Sequence, residues 1–146
     1  MPLNHTCADD LESLHLDRYL RKLAQREPDA WSPDRLQLAA REYARFLRLR
    51  QLHPETPLVP TELMDAVWHE HILNTRAYFE DMIRLFGRFL HHEPEYPGEP
   101  SDSDMQAGIA ETTRLYLAAF SETPAEMVSA RCNGKSCHAP SSCRCR

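Results

Sequence analysis

The chain has 146 residues, enough for one domain with a real core and too few for two ordinary ones. Its composition, 42% apolar and 27% charged, excludes a fibrous or wholly disordered class, and no run of about 18 apolar residues is present to cross a membrane. The net charge of −5 is uneven: residues 131–146 carry four basic residues and no acid, leaving −9 on residues 1–130, and so acidic a body argues against nucleic acid as a partner.

In chain order the apolar spacing predicts helices and no strands. The first helix is expected from about Asp9 to Gln25, with Leu11, Leu14, Leu16, Tyr19, Leu20 and Leu23 as its stripe and Pro28 beyond its end. Ser32-Pro33 opens a second as N-cap and first-turn proline, running to about Leu52 on Leu36, Ala39, Ala40, Tyr43, Phe46 and Leu47. Its arginines (Arg35, Arg41, Arg45, Arg48, Arg50), interrupted by Asp34 and Glu42, read as a solvated face. The run "HPETPLVP" from His53 to Pro60 is a stiff connector. Thr61 caps a third helix to about Leu73, and Asn74-Thr75 leads into a fourth, Arg76 to Phe86, closed by Gly87. Prolines at 94, 97 and 100 keep the next segment irregular. Ser103 with Gln106 then forms a capping-box pattern for a helix to about Ser121, and Thr123-Pro124-x-Glu126 another for a short last helix. The expectation is an all-α bundle of five to six helices over residues 1–130, followed by an irregular, Cys-rich, basic tail over residues 131–146.

The third helix holds "WHEH", which looks like a shortened zinc-protease motif. Such a motif needs two histidines four apart, on one helical face. Here they are two apart, and at about 100° per residue His69 and His71 point roughly 160° away from each other. Asp65 and His69, four apart, lie within about 40° and can share a hydrogen bond or an ion. One expectation is therefore a zinc or iron site built from Asp65, His69 and one or both of His91 and His92, with Asp81 as a further oxygen donor and His71 as a supporting group or a ligand. If such a site is catalytic, Glu70 or Asp81 would be its base, and the protein a metal-dependent hydrolase or oxygenase. The competing reading makes the same residues a structural network: His69 on Asp65, His71 on Tyr78 or Asp81, and His91 or His92 on a helix end. Trp68 and Tyr78, at helical spacing, belong with the core on that reading.

The tail, Cys132-x4-Cys137-His138-x4-Cys143-x-Cys145, has thiols and an imidazole sufficient for one zinc or copper(I) ion, at a spacing unlike standard zinc fingers. Its rivals are disulfides, free reactive thiols, or a segment processed as a substrate. The first ten residues lack the basic-then-apolar pattern of a secretory signal, so the expected compartment is cytoplasmic and stable disulfides are disfavoured. A protein partner that docks on the tail is the non-enzymatic alternative.

The run from Pro60 to Gly98 also resembles the glycine-rich domain protein-like family, through Asp65, Trp68-His69-x-His71-x-Leu73, Tyr78-x-x-Asp81, Gly87 and His91-His92. On that likeness the chain resembles a compact bacterial-type member. It departs at Met82, where many relatives carry cysteine, and in a tail that keeps cysteines and almost no glycine. The resemblance implies a helical fold; it implies no particular reaction.

Overall fold

A computed structural model describes residues 11–93 and 102–126, and these form five helices with no strand among them. They are α1 (Asp17–Arg26), α2 (Pro33–Leu52), α3 (Glu62–Leu73), α4 (Thr75–Phe86) and α5 (Asp102–Phe120). The architecture is all-α, as the spacing predicts. The Cys-rich tail, with Cys132, Cys137, His138, Cys143 and Cys145, lies outside the described residues.

The punctuation residues set the helix ends. Ser32 accepts a hydrogen bond from the Arg35 N–H at 3.2 Å, with Pro33 in the first turn of α2. Thr61 does the same for Met64 at 3.4 Å and starts α3. Asn74 ends α3 and caps α4 by accepting from the Ala77 N–H. Gly87, at φ 68°, takes the left-handed conformation that ends α4, which glycine adopts without the penalty a side chain brings.

Three expectations at the ends are corrected. The first helix is interrupted: residues 11–12 are helical, the chain leaves that conformation at residues 14–15, and α1 begins at Asp17. Leu14 and Leu16 are two apart, so one continuous helix could not turn both to the core. The break buries Leu14. The last long helix starts at Asp102, one residue before the expected Ser103 cap, and residues 121–126 are not helical, the rest of the expected short last helix lying outside the described residues.

Helix α3 sits at the centre, packed on α2 most extensively and also on α1 and α4, while α5 closes against α2. Tyr43, Phe46, Leu47, Leu63, Met64, Val67, Met82 and Tyr116 are fully buried among these helices. At about 1.5–3 kcal/mol for each large apolar side chain removed from water, this core dominates the driving force for folding. Because α3 is flanked on several sides, both of its faces become interior or cleft surface, which is how His69 and His71 acquire separate surroundings.

The arginine face of α2 is not uniformly solvated. Glu42 is fully buried, where it accepts from the Tyr116 hydroxyl at 2.7 Å and the Ala125 N–H at 3.3 Å and pairs with Arg41 at 3.2 Å. Arg35 stacks over Trp31 and pairs with Glu126, and Arg45 bridges Glu122 and the Tyr116 hydroxyl. These groups tie the end of the described chain back onto α2.

Candidate metal centre

One turn of α3 brings Asp65 Oδ1 and His69 Nε2 to 3.3 Å. The segment after Gly87 then returns over α3 and places His92 Nε2 2.6 Å from Asp65 Oδ1 and 3.0 Å from His69 Nε2. Three potential ligand atoms thus form a closed triangle. His92 is held in place by its neighbours. Trp68 Nε1 donates to the Tyr78 hydroxyl at 3.0 Å, the Tyr78 hydroxyl donates to the Leu90 carbonyl, and the His92 ring lies edge-on against Trp68 with centroids 4.4 Å apart. Burial pushes the Tyr78 phenol up to about 12, so it stays a neutral donor to that carbonyl. His91 is exposed, against Phe89, and does not join the triangle.

Protons alone serve this triangle badly. Two N–H groups aimed at each other across 3.0 Å would repel, so a single imidazole proton must serve all three close approaches. A cation would replace those approaches by direct bonds. In a tetrahedral zinc site with bonds of about 2.0–2.1 Å, ligand atoms stand roughly 3.3–3.4 Å apart. The observed edges of 3.3 and 3.0 Å equal this or fall a few tenths short of it, while the 2.6 Å edge between Asp65 and His92 must widen by roughly 0.7 Å to admit the ion. His69, 48% exposed, has room to rotate outward and open the triangle.

His71 lies elsewhere. It is fully buried, with Nδ1 2.7 Å from the Tyr43 hydroxyl and Nε2 2.8 Å from Asp81 Oδ2. A carboxylate only accepts, so Nε2 carries the proton and Nδ1 accepts from Tyr43. Both ring nitrogens are engaged, and His71 supplies no atom to the triangle. Burial lowers its pKa from the ordinary 6.5, against the opposing pull of Asp81. Asp81 also pairs with Arg84 at 3.0 Å, so it too is occupied away from the triangle rather than serving as an extra oxygen ligand or a poised base. Glu70 is buried and held by Arg26 at 2.6 Å, on the wall of the cleft that His69 enters. An ion-paired carboxylate is a weak candidate for a general base.

Two clefts meet at the triangle. One, of about 370 Å³, is lined by His69, Glu70, Arg26, Arg35 and Trp31. The other, of about 470 Å³, is lined by His92, Trp68, Phe46, Arg50 and Arg88. Asp65 lines both. The sequence reading placed Tyr43 in the buried stripe of α2 but missed its hydroxyl as a partner of His71, missed Glu42 as a buried polar group, and missed Arg50 and Arg88 as cleft residues. Glu42 carried a usable signal, since it falls at helical spacing among Ala39, Tyr43 and Phe46. The arginines carried none, because their common cleft is made by the return of the chain after α4.

A family profile described as UCP032817-like matches residues 11–119. Among curated proteins, Glycine-rich domain-containing protein 1 of Arabidopsis thaliana is 32% identical over 89 residues, and Glycine-rich domain-containing protein 2 of the same plant is 28% identical over 89. Each alignment covers 58% of this chain and spans 11% of the length of the relative. No solved structure matches.

Proposed function

The chain belongs to the UCP032817-like family, akin to glycine-rich domain proteins, and from that premise we propose that it binds a zinc or iron ion through Asp65 Oδ1, His69 Nε2 and His92 Nε2. The observation that carries the reading is the convergence of these three atoms, from α3 and from a returning segment 23 residues after His69, at edges of 2.6–3.3 Å. Two imidazoles and one carboxylate with open positions are a donor set for zinc bearing water, or for non-haem iron(II). A bound ion there would act as a Lewis acid toward whatever occupies the adjoining clefts. With Glu70 tied to Arg26 and Asp81 to His71 and Arg84, proton transfer at such a site would fall to metal-bound solvent rather than to those carboxylates.

Elemental analysis of protein purified without added metal tests this. The expected result is about one equivalent of zinc or iron in the wild type and its loss in His69→Ala, in Asp65→Asn and in His92→Ala, with retention in a chain ending at Ala130. Metal that leaves on truncation but persists in the three substitutions would move the site to Cys132, Cys137, His138, Cys143 and Cys145, as zinc or copper(I). A metal-free wild type that also fails to take up added zinc or iron would overturn the proposal.

A further inference from the structure

The larger cleft has a chemical character that the triangle does not explain. Its walls are mostly apolar, with Phe46, Trp68, Leu90 and a run of prolines in the connector after α2. Against these walls stand two arginines. Arg50 Nη1 donates to the Thr56 carbonyl at 2.9 Å, and Arg88 Nη2 donates to the Pro54 carbonyl at 2.8 Å, so both are pinned to one connector. Arg26, Arg35, Arg45, Arg84 and Arg114 each pair with a carboxylate, whereas among the described residues neither Arg50 nor Arg88 has one within ion-pair distance. Burial, with the Arg88 charge beside it, pulls the Arg50 guanidinium below its ordinary value. Glu55 acts on Arg50 across the cavity without touching it, so among the described residues neither guanidinium holds a bonded carboxylate, and a ligand carboxylate would make that bond.

We propose that this cavity binds a small organic carboxylate, its headgroup held by Arg50 and Arg88 and its apolar body lying against Phe46 and Trp68, in the space that Asp65 and His92 also line. The planar fork of a guanidinium matches the two oxygens of a carboxylate. Glu55, Glu93 and Asp65 line the same cavity and would repel a multiply charged phosphate more than a monoanion. A volume of about 470 Å³ suits a small-molecule ligand and is too small for a folded partner. The inference stands apart from the metal reading, since the arginines and the apolar walls need no ion.

The test is a titration of the full chain, stripped of metal by a chelator, with phenylacetate and with uncharged phenylacetamide. Trp68 fluorescence is the readout, in a Trp31→Phe background because Trp31 lines the other cleft. Phenylacetate should bind saturably and at least about tenfold more tightly than the amide, the scale of a charge-assisted hydrogen-bonded pair. Arg88→Gln should weaken it by a similar factor. Arg88 is exposed, so this variant should fold, as circular dichroism would verify, even where Arg50→Gln does not. Equal binding of acid and amide, no saturable binding of the acid, or unchanged affinity in Arg88→Gln would each overturn the proposal. The chelated protein keeps the outcome independent of whether the triangle holds an ion.

Discussion

His71 is buried between Tyr43 and Asp81, and the cost of charging it there outweighs the favourable pull of the carboxylate. Its pKa in the folded chain therefore lies below the ordinary 6.5 that it regains on unfolding. Between those two values the unfolded chain binds more protons, so stability is present above pH 6.5 and is lost as the pH falls toward the folded value. The urea midpoint should decline as the pH is lowered from 7 toward 5, and His71→Gln should flatten that decline while costing ~3 kcal/mol, because it leaves the Tyr43 hydroxyl or Asp81 without its partner. An unchanged pH profile in that variant would sink this account of His71. Helix geometry made part of this visible in advance: an offset of two residues sends His69 and His71 to different sides, and Asp81 was one of two candidates for His71. Tyr43 as the second partner was not legible, because it comes from another helix and only the crossing of α2 over α3 brings it near.

At the scale of elements, α4 and the segment after it decide whether the triangle forms. Periodicity locates α4, and Gly87 marks its end, but nothing in "HH" distinguishes His91 from His92. In an extended segment adjacent side chains point to opposite sides, and the register is set by the Tyr78 hydroxyl on the Leu90 carbonyl and by the packing of Trp68 on His92. These are long-range contacts with no local signature. The break before α1 is a similar case: each leucine looked helical by its neighbours, yet the two-residue step from Leu14 to Leu16 already conflicted with one face. If the Tyr78 bond sets the register, Tyr78→Phe should keep all three ligands and still reduce metal affinity by about tenfold or more, as loss of a supporting hydrogen bond commonly does. Competition against a chromogenic zinc chelator measures this. Affinity equal to wild type would mean that Trp68 packing alone positions His92.

The whole molecule depends on whether α5 is an integral part of the bundle or an appendage. Sequence pattern identifies α5 as a helix and leaves its docking open, since its apolar residues do not form one continuous stripe. Its attachment joins apolar packing of Leu115, Tyr116 and Phe120 on the core with polar contacts: Tyr116 donates to the buried Glu42 carboxylate, and Thr112 Oγ1 accepts from the Val59 N–H at 2.9 Å. Gly108 permits the close approach, for a Cβ there would stand 2.9 Å from Val59 Cγ2. Glu42 is thus the point at which α2, α5 and the turn carrying Ala125 meet. Removing it by Glu42→Ala leaves the buried Tyr116 hydroxyl and the partly buried Ala125 N–H without their acceptor and releases Arg41 from its pair, a loss on the order of 3–4 kcal/mol. That loss should not fall evenly. Helices α1 to α4 keep their apolar contacts around α3, so native-state hydrogen exchange should show α5 amides losing protection first while those of α3 remain the slowest. Because the 470 Å³ cavity is lined by Val59 and by Met105 of α5, the same substitution should weaken ligand binding there before it affects the triangle. Uniform loss of protection across all five helices would show instead that α5 folds and unfolds as one unit with the rest.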